Sequence, residues 1–204
     1  IGRDAKAAQL ALDADNYGAN NKVALAGGDK WSAAGSKPAD QINEAKSAIR
    51  KQIGTDPNTL LLSGDAFDAL KENASLLDKI KYTQRGVITA DLIASAFDVE
   101  RVLIGKAVYA ENEDAAEFTD IWGNNAVLAY VPAGASMTYA PSSDGMMMNR
   151  EEPSYGYTYV IEGMPMVEQP YYDPNSKSWV YPVTYDATPV LSGVAAGYLF
   201  QNPK

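Results

Sequence analysis

Histidine and cysteine are both absent from the 204 residues, and that pair of absences sets what chemistry the chain can do. It removes the ordinary zinc ligands, the usual general base at neutral pH, and every Ser-His or Cys-His nucleophile pair. Carboxylates, lysines, tyrosines and serines remain. Gly64-Asp65, placed between an apolar run and a short helix pattern, is how a phosphate-binding turn begins. No Lys-Ser/Thr follows it, so Asp65 is expected to N-cap a helix over 66–70. Gly27-Gly28-Asp29 lacks the G-x-G-x-x-G context of a dinucleotide loop and reads as a turn. Glu111-Asn112-Glu113-Asp114 could hold Ca²⁺, but the glycine and terminal glutamate spacing of a calcium loop is missing, which leaves a solvated acidic turn. Asn73-Ala74-Ser75 fits a glycosylation acceptor but needs a secretory route that the chain does not advertise. The aromatics from Tyr171 through Tyr185 could stack sugars or bases. Packing across paired strands explains them more cheaply and suits the acidic charge better. No residue is therefore assigned as catalytic, cofactor-binding or metal-ligating, and no cofactor is expected. The chain is expected not to be an enzyme.

The totals narrow the class further. A chain of this length buries a sizeable core as one large domain or two small ones. Its 17 basic and 26 acidic residues leave a net charge of -9, which argues against a grip on nucleic acid through phosphate neutralisation. An acidic lining would instead keep a neighbouring polyanion mobile. No apolar run approaches the roughly 18 to 20 residues that span a bilayer, so a soluble protein without membrane partners is expected. The first residue is Ile1, with no initiator Met and no basic-then-apolar leader, and the expectation is a fragment or a processed product.

The elements that must carry these residues centre on 59–131. Thr59–Ser63 reads as an apolar strand, followed by a short helix. A second amphipathic helix over 91–97 is capped by Thr89. The run Arg101–Tyr109 is apolar on both faces, which predicts a central, covered strand. Ala126–Val131 is a further strand. Upstream, residues 1–15 are helix-forming, and 22–26 make a short extended piece. The helix at 38–53 is the clearest, with Pro38 in its first turn, Ile42, Ala45, Ile49 and Ile53 on one stripe, and Gly54 as its stop. The last third is β-rich. Residues 155–168 alternate over enough length for a long antiparallel strand, 180–185 return beside it, and 190–200 form the final strand. Met146-Met147-Met148 sits in a loop that is either a flexible subunit contact or simply covered.

The run Ser75-Leu76-Leu77-Asp78-Lys79-Ile80-Lys81-Tyr82-Thr83-Gln84-Arg85-Gly86-Val87-Ile88-Thr89 resembles the major capsid proteins of tailed bacteriophages and related prophages. The resemblance continues through Phe97–Gly105, Ile121–Ala126, Pro153–Thr158, Ala187-Thr188-Pro189 and Ala196–Phe200, in order, and covers essentially 15–203. It implies an α+β chain of the Hong Kong 97 type, with an axial domain of mixed sheet plus helices and a peripheral domain with a long spine helix and long antiparallel strands. An N-terminal arm and an extended hairpin that lap over neighbouring subunits belong to the same fold. Residues 1–58 would be the N-terminal part of the peripheral domain, with 38–53 as spine. Residues 59–140 would be the axial core, and 141–204 a β-rich return ending in the last axial strand. The implied function is a structural subunit that self-assembles in the bacterial cytoplasm into the icosahedral head of a virion. The implied partners are its own copies in rings of five and six, other head proteins such as scaffold and portal, and enclosed DNA without specific readout. Such proteins usually run longer, and the missing length is expected upstream of Ile1. Two rival readings are an encapsulin-type compartment shell with the same fold and a monomeric α/β binding module with a Tyr/Trp-rich face.

Overall fold

The computed structural model describes residues 2–80, 88–110, 112, 117–132, 154–160 and 165–204. In chain order the helices are α1 (Gly2–Leu12), α2 (Pro38–Ile53), α3 (Gly64–Glu72), α4 (Ala74–Ile80) and α5 (Ala90–Phe97). The first strands are β1 (Lys22–Ala24), β2 (Thr59–Ser63), β3 (Arg101–Gly105), β4 (Val108–Tyr109), β5 (Thr119–Asp120) and β6 (Asn125–Ala129). Then come β7 (Gly156–Val160), β8 (Met166–Val167), β9 (Tyr171–Asp173), β10 (Ser178–Val180), β11 (Val183–Thr184), β12 (Ala187–Leu191) and β13 (Gly197–Gln201). Five strands form one mixed sheet in the order β1-β13-β6-β2-β3. Its outer pairs, β1 with β13 and β2 with β3, run parallel, and the two inner pairings with β6 are antiparallel.

The period-2 alternation of the inner strands divides the core in two. Leu60, Leu62, Ala126, Leu128 and Phe200 point to the face covered by α2, α3 and α5, where Ile42, Ile49, Phe67, Leu70, Ile93 and Phe97 meet them. Leu61, Val127, Ala129 and Leu199 point the other way, onto a smaller cluster with Tyr17 and Tyr155. The α2 stripe is thus core: Ile42, Ala45 and Ile49 are buried, with Ile53 half-buried at the end. Gly54 ends this helix at φ +79°, the left-handed conformation that a Cβ disfavours, and its N–H closes on the Arg50 carbonyl at 2.8 Å. The Trp31 indole lies fully buried beside the Phe200 ring, with centroids 5.5 Å apart, and donates to Gln41 Oε1 at 2.7 Å.

Three expectations need correction. The cap of α3 is Ser63, whose Oγ accepts from the Ala66 N–H at 3.2 Å, and not Asp65. Ser63 wins because it ends β2 with an extended backbone and its hydroxyl also takes the Asn125 N–H at 3.3 Å, tying helix to sheet. Asp65 lies in the first turn and holds Lys204 Nζ at 2.6 Å instead. Residues 101–109 are not a central strand. Among the described residues β3 is the sheet edge, Leu103 is 48% exposed, and the chain breaks at Lys106-Ala107 into β4, which pairs with β5. The final run 190–200 is two strands in different sheets, β12 and β13, separated by a 3-10 turn at Val194–Ala196. Ser63→Ala should accordingly cost about 1–2 kcal/mol in urea unfolding. Asp65→Asn should stay within about 0.5 kcal/mol, since both partners in that ion pair are solvent-exposed. Equal losses would return the cap to Asp65.

Candidate functional site

Pairing in the last third builds one long arm. Gly156 stands opposite Leu191 and Val160 opposite Ala187, Val167 opposite Val183, and Tyr171 opposite Val180. Residues 156–160, 166–167 and 171–173 therefore run out, 174–177 turn, and 178–191 run back. Three residues separate β8 from β9 while two separate β10 from β11, a one-residue offset that bulges and twists a ribbon. The outward strand expected over 155–168 is present as β7 and β8, while 161–164 lie outside the described residues. The expected return over 180–185 is β10 and β11, interrupted at Tyr181-Pro182.

The turn is set by Asp173, whose carboxylate accepts from Ser176 Oγ at 2.8 Å and the Asn175 N–H at 3.0 Å. Those bonds, the serine hydroxyl first, hold its carboxyl below the usual carboxylate range. Lys177 closes the turn at φ +51°. At the root, Tyr155 is fixed on every side. Its N–H donates to the Tyr130 carbonyl at 3.0 Å, and its own carbonyl accepts from Ser192 at 3.1 Å and Gly193 at 3.3 Å. Its phenol bonds that of Tyr17, which donates to the Ala11 carbonyl at 2.7 Å. α1 packs along β12, and Arg3 donates to the Tyr185 hydroxyl at 3.2 Å.

The arm's surface sets it apart. Of the sixteen exposed large hydrophobic side chains among the described residues, eleven lie on it, including Tyr171, Tyr172, Trp179, Tyr181 and Tyr185. Tyr172 and Trp179 do pack across the ribbon edge-to-face, with centroids 5.7 Å apart, as expected for cross-strand partners. The Trp179 side still stands 61% exposed. Directly opposed pairs alternate between the two faces of a ribbon, so Tyr171 lies on the other face, and among the described residues no layer buries both. A lone two-stranded ribbon is marginal in water. This surface has the composition of an interface core, rich in Tyr, Trp and Met and poor in charge.

The residues considered for chemistry are not brought together. Asn73 is buried, with its side chain donating to the Trp31 carbonyl and Ser36 Oγ, both at 2.8 Å, and accepting from the Leu76 N–H. It has no room for a glycan. Glu111, Glu113 and Asp114, and Met146 to Met148, lie outside the described residues. Among the described residues no three of His, Cys, Asp and Glu are grouped to hold a metal ion. The most perturbed groups are Tyr17, buried in the second core cluster, and Tyr155, partly buried against it. No helix among the described residues is long and apolar enough to cross a membrane. One contact invisible to sequence periodicity is Lys46 of α2, whose ammonium bonds the Phe97 and Asp98 carbonyls at 2.9 and 2.5 Å and so closes the C-terminus of α5.

A helix-covered mixed sheet carrying a β-hairpin that is uncovered among the described residues defines an α+β protein. The phage major capsid protein E family model matches residues 5–195, and the chain belongs to that family. It is 40% identical over 200 residues to the major capsid protein of Burkholderia phage BcepMu, covering 98% of this chain and 61% of that one. The crystal structure of a phage-related protein from Bordetella bronchiseptica RB50 superposes with a TM-score of 0.85 at 41% identity, covering 98% of this chain and 62% of the other. The chain thus spans about three fifths of the length of the relatives it matches.

Proposed function

We propose that this chain is the shell-forming body of a phage or prophage major capsid subunit, a structural protein that acts by geometry and not by catalysis. The observation that carries the reading is the arm: among the described residues, a family member displays most of its exposed large apolar side chains on a ribbon that none of them covers. Copies that cover one another's arms gain many weak contacts that close into rings of five and six, and these into an icosahedral head. The fold of this reading is the Hong Kong 97 type, with 59–140 as axial core and 141–204 as the β-rich return. Residues 38–53 share one hydrophobic cluster with β2 and β6, so a boundary between a part at 1–58 and that axial core falls in a packed interface and not in a linker. The shell would assemble in the bacterial cytoplasm, with scaffold and portal as further partners, and would enclose DNA that its acidic surface leaves mobile. Kinship with a phage capsid protein along the whole chain favours this over a cargo compartment, and the uncovered arm favours it over a monomeric binding module.

The test is the complete protein on size exclusion with light scattering, followed by negative-stain microscopy. Megadalton particles tens of nanometres wide are expected. A monomer that persists across salt and protein concentration overturns the reading.

A further inference from the structure

We propose that residues 202–204 form a strap that latches the first turn of α2 onto the sheet, and that the lead-in to this helix, residues 26–37, opens and closes as one unit with the strap while the core stays folded. Such a latch belongs to the folded subunit and does not depend on the shell reading. α2 needs the hold because its own start is weakly fixed. Lys37 at the N-cap makes no side-chain bond to the first turn, so the N–H groups there gain nothing from a cap. The turn is tied instead through Gln41, which accepts from the Trp31 indole at 2.7 Å and donates to the Asp29 carbonyl at 2.9 Å. The place of the first turn therefore follows the lead-in. Yet the lead-in contains no strand, and Trp31 and Ser36 are its only buried residues.

The strap supplies what the lead-in lacks. β13 ends where Asn202 turns the backbone at φ +55°, a left-handed conformation that asparagine tolerates better than most residues. Past that bend the chain stays paired with the residue before β6. The Asn202 N–H donates to the Asn124 carbonyl at 3.0 Å. The Asn124 side chain then lies along Lys204 as a strand neighbour would, accepting from its N–H and donating to its main-chain oxygen, both at 3.1 Å. Between these bonds Pro203 is buried, and its carbonyl takes the Trp31 N–H at 2.7 Å. Lys30 of the lead-in adds its ammonium to the Lys204 main-chain oxygen at 2.9 Å. Pro203 is the one buried residue of the three, so hydrogen bonds carry most of the hold. A segment with so little buried apolar area opens locally, at a lower free energy than the core. Trp31 bonds the strap through its N–H and Gln41 through its indole. Opening the strap thus frees the first turn of α2 as well.

The test is hydrogen exchange on the complete protein, read at single amides by mass spectrometry with fragmentation, for the wild type and Asn124→Ala. The variant keeps the main-chain bond to Asn202 and loses both side-chain bonds to Lys204. Exchange is expected to rise about tenfold or more, by a common factor, at Asn202, Lys204 and Trp31 and at Asp40 and Gln41, whose N–H groups close the first turn of α2 on the Lys37 carbonyl. The amides of Leu62 and Leu128 in the central strands should keep their wild-type rates. Acceleration confined to Asn202 and Lys204 makes 202–204 a frayed segment and overturns the latch, as does no acceleration at all. An equal rise at Leu62 and Leu128 means that Asn124 supports the whole fold, and overturns it too. If Asn124→Ala does not fold, the wild type in rising urea decides. The same five amides are then expected to converge on one exchange rate at lower urea than Leu62 and Leu128. Exchange only together with those core amides overturns the strap.

Discussion

Gly197→Ala is expected to cost about 3 kcal/mol or more of folding stability, at the upper end for the addition of a single carbon. Gly197 is the buried first residue of β13, paired with Ala129 in the middle of the sheet. A Cβ there would fall within the ring of Tyr155. In an open site the ring would swing aside. Here the Tyr155 backbone is pinned through Tyr130, Ser192 and Gly193, and its hydroxyl is held by Tyr17, so the strain passes into β13 or the root of the arm. The measurement is a double-mutant cycle by urea unfolding with Gly197→Ala, Tyr155→Ala and both. Tyr155→Ala alone should cost about 3–5 kcal/mol through the cavity it leaves. In that background the added methyl finds the cavity, so Gly197→Ala should cost under about 1 kcal/mol, giving a coupling of about 2–3 kcal/mol. Additive losses would mean that the ring does not set the requirement for glycine.

The local elements could be read from the sequence wherever one stretch carried both the periodicity and its punctuation. Pro38, the Ile42–Ala45–Ile49 stripe and Gly54 delimit α2 without reference to anything else. Thr89 caps α5 by the side-chain bond its spacing implies, accepting from Leu92 N–H at 3.4 Å. Sequence reasoning failed where two parts of the chain compete or meet. Ser63 and Asp65 are both good caps, and the choice between them depends on Asn125, sixty-two positions away. Leu103 has the apolarity of a covered strand, yet β3 is an edge of this chain's sheet. Periodicity reports that a residue is apolar, not whether its cover comes from the same chain. The hairpin itself was legible, as alternation over 155–168, a turn and a return over 180–185, but only the pairings show that its aromatics stand on both faces. The Tyr17–Tyr155 bond joins residues 138 apart in the chain, and no local pattern announces it.

That phenol pair gives the second large effect, an alkaline limb in stability. Burial pushes the Tyr155 phenol up to about 12, with its bond to Tyr17 holding it lower than burial alone would. Tyr17 is pushed higher still, by burial first and then by the charge and hydrogen bond of Tyr155. In the unfolded chain both phenols ionise near 10. Above that value the unfolded state binds fewer protons than the folded one, so stability falls as pH rises. The contribution is therefore fully present below about pH 10 and is lost as pH climbs through about 12. Two units on Tyr155 amount to roughly 3 kcal/mol, with Tyr17 adding in the same direction. Lysine side chains ordinarily lose their charge in the same range, so the phenols must be isolated by difference. Urea unfolding of the wild type and of Tyr17→Phe/Tyr155→Phe across pH 8 to 12 does this. The double variant should start about 1–2 kcal/mol less stable, having lost the hydroxyl pair and the bond to Ala11. The curves should then converge or cross as the wild type declines more steeply. Parallel curves would mean that the phenols ionise without unfolding the root of the arm, and that the Tyr17–Tyr155 contact is open to solvent.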